Sequence, residues 1–447
     1  MAPNDPTQVM DNILQTVTTT PDPSNVAQYL RNLTPKDVRD TALASPLSSG
    51  QDPLSVLHPT QNTLAVLHIL VARYTVNGAT PPPEEYLSEF CQVFDPAQAR
   101  LSPSHVTALA RAIQRYAVQA EKPRWAITPL HHLLTRYPPD NTFLTTIHPI
   151  FTLTCIQAKN PTAALNVLTN PITSIDTNLS DLTYNDNLTY HYTGGIIFAM
   201  LKRWLEAEEF FEIAVTAPGT YPAALQMEAL KKLRLVQLIH RGKVSQLPKY
   251  THPVLLRQFK SSPYAAFINH YPSNTDALRD ILHKERNTFG TEKNLGLLRQ
   301  AMDRAPRWEL KKLTATYLSL DLADIAQAVK LEGTEPVRAL LLSMIEDGDI
   351  SATISADGSV TFSDPPAKFS RAQVDQMLKD VQSQCQLLEY LEKEMGKSRE
   401  YLSKAVKGKD GEGGAGGHWV SAADTEEMFT GVGPSQMGAW DTDVAFT

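Results

Sequence analysis

The sequence has few of the features that mark catalysis, secretion or membrane insertion. Its 447 residues hold three cysteines, Cys91, Cys155 and Cys385, far apart and in no metal or redox spacing. They read as reduced intracellular thiols. No run approaches the ~20 apolar residues of a membrane span. Met1 to Gln15 lacks a basic segment followed by an apolar one, so no signal peptide is expected. The sequons at Asn32, Asn178 and Asn187 then read as chance matches, and the expected location is nucleus and cytoplasm.

Catalytic signatures are missing as well. The chain has 12 histidines, but no His-x-His, i,i+3 or i,i+4 pair, and adjacent His131 and His132 point in different directions. His-Glu-x-x-His, Gly-x4-Gly-Lys-Ser/Thr and Gly-x-Ser-x-Gly are all absent. Carboxylate pairs such as Glu208-Glu209 read as solvated helix faces. The sequence therefore predicts no catalytic residue, no metal site and no cofactor.

Base is scarce where a nucleic-acid binder needs it. Net charge is −7, and Gly408 to Thr447 carries one base, Lys409, against seven acids. The rest of the chain is close to neutral, which predicts no basic patch for nucleic acid or an anionic membrane. At 42% hydrophobic content the composition is that of a soluble globular protein with two or three domains.

The strongest positive signal runs from Leu318 to Phe362, where the order strand, helix, helix, hairpin predicts a winged helix. Leu318-Ser319-Leu320 is a short strand, and Asp321 stands as the helix N-cap with Asp324 at the third helical position. Leu322, Ile325, Ala326 and Val329 form one buried stripe. A second helix has Pro336 in its first turn and Val337, Leu340, Leu341, Met344 and Ile345 on one face, and Gly348 stops it. Ile350, Ala352 and Ile354 alternate with Ser351, Thr353 and Ser355. Val360 and Phe362 flank Thr361 beyond an Asp357-Gly358 turn. A winged helix that reads DNA puts its second helix in the major groove and relies on Lys and Arg. Here Glu335 to Asp349 carries one base, Arg338, against Glu335, Glu346, Asp347 and Asp349, and the wing from Ser355 to Ser359 has none. That surface suits another protein better than a phosphate backbone.

From Val9 to about Phe289 the chain reads as short amphipathic helices separated by Pro81-Pro82-Pro83, Pro138-Pro139 and Pro161. Gly195, Phe198, Ala207, Phe211 and Ala214 sit at the offsets of the tetratricopeptide (TPR) helix-turn-helix pattern, with Trp204 and Phe210 adding bulk and Pro218 closing it. A mostly α, TPR-like helical-repeat solenoid is expected, with an ordinary helical hairpin as the alternative. Its open face would suit extended partners. Thr291–Ala305 and Arg307–Tyr317 read as two further helices, with Leu310, Leu313 and Tyr317 facing inward. Beyond Pro365-Pro366, the residues Val374, Leu378, Val381, Cys385, Leu388, Glu392 and Met395 alternate by four and three, a heptad seam. It could serve partner helices or fold back on its own domain. The expected segments are 1–190 (helical array), 191–305 (TPR-like helices), 306–365 (winged helix), 366–405 (long C-terminal helix) and 406–447 (flexible acidic, Gly-rich tail).

A helical array running straight into an acidic winged helix resembles the PCI module of the proteasome lid, signalosome and translation initiation factor 3 complexes. Leu318 to Ala326 and Met344 to Ile350 carry that resemblance. Gly242 to Thr251, Asn294-Leu295-Gly296-Leu297 and Tyr192-x-Gly194-Gly195 are more specifically similar to the subunit 3 family of the constitutive photomorphogenesis signalosome. The resemblance implies a non-catalytic scaffold in a complex that removes a ubiquitin-like modifier from cullin ubiquitin ligases, with the zinc site on a different subunit. It implies neighbours similar to subunits 1 and 8 and only indirect contact with cullin ligases. Ser351, Thr353, Ser355, Val360 and Phe362 would lie in or beside a strand-mediated partner contact. Val374, Leu378, Val381, Leu388 and Met395 would face partner helices. The alternatives are a PCI subunit of the proteasome lid or initiation factor complex, and a winged-helix nucleic-acid binder.

Overall fold

A computed structural model describes residues 6–33, 35–364, 369–399 and 402. The acidic tail assigned to 406–447 and the Pro365-Pro366 break lie outside the described residues. The chain divides into two compact units between Trp308 and Glu309.

The first unit is an array of short helices, as the proline spacing and apolar stripes predict. In α1 (Pro6–Thr19), Met10, Ile13 and Val17 are buried at helical spacing. In α2 (Thr63–Thr75) every residue from Thr63 to Arg73 is buried, the mark of a helix enclosed on all sides. Downstream come α3 (Pro103–Gln119), α4 (Ile127–Arg136), α5 (Ile147–Gln157) and the single turn α6 (Leu165–Leu168). Two-residue strands β1 (Phe143–Leu144) and β2 (Ser174–Ile175) pair in parallel; their brevity leaves no period-two pattern to read.

The TPR-like window folds as an antiparallel pair, α7 (Tyr184–Met200) and α8 (Trp204–Thr216). A Cβ on Gly195 would stand 2.8 Å from Cδ1 of Phe211, and one on Gly194 2.5 Å from Cδ1 of Phe210. Only glycine admits these rings. Phe198, Ala207, Phe211 and Ala214 are buried, and α9 (Ala224–Arg241) packs against α8. One hydrophobic core runs from Met10 to Ala301. The division expected at residue 190 therefore falls inside α7 and inside that core.

Two helices read on either side of Pro306 form one, α11, after α10 (Pro253–Lys260); α11 spans Leu295–Thr314 with Pro306 inside it. Proline removes a single i→i−4 bond, and buried Leu297, Leu298, Ala301, Ala305 and Leu310 hold the helix on both sides of it.

The second unit is the winged helix. Strand β3 (Ser319–Asp321) leads into α12 (Leu322–Val329) and α13 (Thr334–Glu346), then β4 (Ser351–Ile354) and β5 (Ser359–Ser363). The sheet order is β3-β5-β4, both pairs antiparallel. Its core gathers Leu310, Leu322, Ile325, Val337, Leu341, Met344, Val360 and Phe362. Tyr317, expected inside, is largely exposed. Asp321 occupies the N-cap position but makes no capping hydrogen bond, because the strand pleat turns its side chain to the outer sheet face. The last described helix is α14 (Arg371–Lys397), opened by a capping box between Ser370 and Gln373.

A candidate docking surface on the wing and the C-terminal helix

The register decides which wing groups are available. In an antiparallel ladder only alternate pairs exchange backbone hydrogen bonds. Ser355 N–H donates to the Ser359 carbonyl at 2.8 Å, and Phe362 N–H donates to the Leu318 carbonyl at 2.8 Å. Counting along the register, Ser351, Thr353 and Ser355 direct their backbone groups at β5, whereas Ala352 and Ile354 direct theirs away from the sheet. Among the described residues no strand pairs with that outer edge of β4. The free N–H and C=O groups of the edge thus belong to Ala352 and Ile354, one residue out of phase with the set named from the sequence.

Side chains follow the same alternation. Val360 and Phe362 lie in the central strand, buried in the core, with their backbone groups turned to β3. Their part in any edge contact is to hold up the sheet beneath it, not to touch a partner. Ser351, Thr353 and Ser355 instead point to the outer face. There they join Ser319, Ser359, Thr361 and Ser363 in a sheet face covered by hydroxyls. Ser351 and Ser363 are hydrogen-bonded across the strands at 2.8 Å, and Ser319 lies 3.3 Å from Ser359. The Asp321 carboxylate adds one negative charge to this face, and on α13 the single base, Arg338, is drawn to Glu335 at 3.5 Å.

Helix α14 has no buried residue. Val374, Leu378, Val381, Leu388 and Met395 are all exposed, Leu388 at 64%, and Met377 and Leu391 widen the same stripe. Cys385, on the seam, is exposed too. Of the two uses the heptad pattern allows, folding back on the described chain is not what the structure contains.

The first unit buries polar groups that sequence reading placed on the surface. Glu208 is buried, accepting from Arg241 Nε at 2.9 Å and Gln237 Nε2 at 3.1 Å. It therefore braces α8 against α9. Lys231 lies between Glu228 and Glu292, each at 2.7 Å, and over the Tyr264 ring. Burial works to lower its pKa, but bonding to the two carboxylates outweighs that and raises it. Tyr264 donates to Glu292 at 2.6 Å and accepts from the fully buried Asn294 at 2.7 Å. This accounts for Asn294 in the Asn294–Leu297 tract. Gly242, at φ +71°, caps α9 against the Trp308 ring with no room for a Cβ.

Burial also depresses several histidines. His105 and His148 are pushed down to about 4, and His68, stacked on His105 with centroids 3.7 Å apart, is held well below its ordinary value by burial and then by His105. Among the described residues no group of three or more His, Cys, Asp or Glu side chains could hold a metal ion. Whole-chain charge conceals one local excess. From Ala229 to Thr275 there are eight Lys and Arg and no acid, and Lys243, Lys249, Arg257 and Lys260 are exposed. A windowed charge count would have found it.

Helical repeats leading into a three-stranded winged helix with an open edge define a PCI-type protein, and residues 276–364 match the model of the PCI domain. Residues 29–255 match the model described as COP9 signalosome complex subunit 3, N-terminal helical repeats. COP9 signalosome complex subunit 3 of Dictyostelium discoideum is 31% identical over 326 residues, covering 70% of this chain and 77% of its own length. The protein of that name from Drosophila melanogaster is 28% identical over 384 residues, covering 80% and 86% respectively. The chain belongs to the COP9 signalosome subunit 3 family.

Proposed function

We propose that this chain is a non-catalytic scaffold subunit of a signalosome complex, joined to its neighbours through the wing edge and the C-terminal helix. The observation that carries this reading is the apolar stripe of α14, exposed from Val374 to Met395 with no described residue covering it. Each such side chain fully buried by a partner would contribute about 1.5–3 kcal/mol, so a helix bundle is a strong anchor. The open edge of β4 adds a second joint, by strand addition. Family membership supports the signalosome over the proteasome lid or initiation factor complexes. Neighbours similar to signalosome subunits 1 and 8 are the expected partners.

In this reading the complex deconjugates a ubiquitin-like modifier from cullin ubiquitin ligases, and the isopeptidase chemistry belongs to another subunit. The chain contributes position rather than a reacting group, needs no cofactor, touches cullin ligases only indirectly, and works in nucleus and cytoplasm. It binds neither nucleic acid nor membrane. Truncation at Pro366 tests the proposal: thermal unfolding of the remaining chain should be unchanged while the chain is lost from the purified complex. Full co-purification of the truncated form would remove the helix as anchor.

A further inference from the structure

The basic stretch between Ala229 and Thr275 takes part in neither surface assigned above, and its eight cations divide at Gly242. The four ahead of it are engaged inside the first unit: Lys231 and Lys232 with Glu228, Arg241 with Glu208, and Arg234 with Gln237 and the Ser245 carbonyl. The four beyond it, Lys243, Lys249, Arg257 and Lys260, are exposed and make no ion pair or hydrogen bond among the described residues.

The backbone gathers three of these on one surface. Helix α10 buries Leu255 and Phe259. At 3.6 residues per turn, Pro253, Arg257 and Lys260 fall on the opposite face, with Arg257 and Lys260 separated by a rise of about 4.5 Å. Just ahead of the helix, Thr251 N–H and Thr251 Oγ1 both donate to the Pro248 carbonyl, at 3.0 and 2.7 Å. Thr251 is buried, so this turn is pinned, and its central residues Lys249 and Tyr250 are held out to solvent, Tyr250 at 75% exposure. His252 caps α10 by accepting from Val254 N–H, and its Nε2 meets the Thr220 carbonyl at 3.3 Å. That contact brings Tyr221, 64% exposed, alongside the turn.

Two bare aromatic rings and three unpaired cations therefore adjoin. Water solvates such cations without cancelling their charge, and the segment holds no acid to do so, so a positive field remains. Carboxylates would complete it through charge-assisted hydrogen bonds, and the rings would take an aromatic side chain in edge or stacked contact. Alternate residues of an extended segment are about 6.6–6.8 Å apart, a spacing that the long side chains of Arg257 and Lys260 can span. A nucleic-acid backbone is the poorer match, because beyond these few bases it would run onto a chain of net charge −7. A short acidic segment meets only the local field, since charges farther than about 8–10 Å are screened.

We propose that this surface binds a short acidic segment of a partner protein, its carboxylates paired with Lys249, Arg257 and Lys260 and an adjoining aromatic residue seated against Tyr221 and Tyr250. The proposal stands apart from the scaffold reading, since neither the wing edge nor α14 takes part.

The test is a titration of the full chain into a rhodamine-labelled Glu-Glu-Trp-Glu-Glu-Glu peptide, followed by fluorescence anisotropy. Saturable binding is expected at low ionic strength, and its loss at about 1 M salt, where the Debye length is about 3 Å. The Arg257→Glu, Lys260→Glu double variant should bind at least about tenfold more weakly with thermal unfolding unchanged. A Lys36→Glu, Lys159→Glu variant makes the same change in net charge at exposed positions elsewhere and should lose less than about twofold. Tyr250→Ala should lose about two- to tenfold. The proposal is overturned by no saturable binding at low ionic strength, by equal binding of Gln-Gln-Trp-Gln-Gln-Gln, or by equal losses in the two double variants. Tighter binding of a labelled oligothymidylate would overturn it too, as would peptide binding that appears only once residues 406–447 are removed.

Discussion

Two neighbouring proline substitutions should behave oppositely if the wing register is as described. Ala352 N–H points away from β5, so Ala352→Pro removes no ladder bond, and proline is tolerated on an edge strand in that phase. Its cost to the isolated chain should be below about 1 kcal/mol. Thr353 N–H points at Thr361. Thr353→Pro loses that bond, about 1 kcal/mol net, and leaves the Thr361 carbonyl facing a ring instead of a donor, about 1–3 kcal/mol more. The sum is about 2–4 kcal/mol, read by denaturant unfolding of the purified chain. Association gives the second readout. With the edge donor gone and a ring in the joint, Ala352→Pro should weaken binding of the neighbouring subunit by about 2 kcal/mol, roughly 30-fold, in a chain that is still folded. Equal destabilisation by both prolines would refute the register. Undiminished association of Ala352→Pro would refute the use of this edge.

Further predictions concern the cores. Gly195→Ala should destabilise by about 1–2 kcal/mol, because overpacking against the buried Phe211 ring outweighs the gain in helix propensity. Gly290→Ala, where a Cβ meets nothing within 4 Å, should be neutral or stabilising by up to about 1 kcal/mol; thermal melts compare the two. Met344→Asp puts an unpaired charge into the wing core and should unfold that unit, so unchanged stability would contradict the placement. Acid should weaken the first unit. With His148 held near 4 against an ordinary 6.5, the unfolded chain binds the extra proton between those values. Stability is therefore full above pH 6.5 and falls towards pH 4, by about 3 kcal/mol for this residue. His148→Gln should flatten the stability slope between pH 6 and 5 by about 1.4 kcal/mol per unit, and an unaltered slope would sink the assignment.

The winged helix was legible because its signals are local: a stripe at Leu322, Ile325, Ala326 and Val329, a stop at Gly348, and alternation from Ile350 to Phe362. Alternation also marked which side chains face inward. It did not say that β5 lies between β3 and β4, a pairing that joins Ser319 to Thr361 across the whole motif. That order buries Val360 and Phe362 and frees the backbone of Ala352 and Ile354. The heptad stripe of α14 was equally plain, but a period carries no information on whether its face is covered. Glu208 and Asn294 were missed because their burial depends on Arg241, Gln237 and Tyr264, between roughly 30 residues away in sequence and on other helices. Pro306 misled in the opposite direction, since one missing bond is a small loss in a helix packed on both sides of it.

Residue-resolved hydrogen exchange of the chain, alone and in its native complex, bears most directly on the scaffold reading. In the free chain the Ala352 and Ile354 amides should exchange far faster than Thr353. On assembly both should gain protection, together with amides along Arg371–Lys397. Protection that leaves these two segments unchanged in the complex would contradict the account.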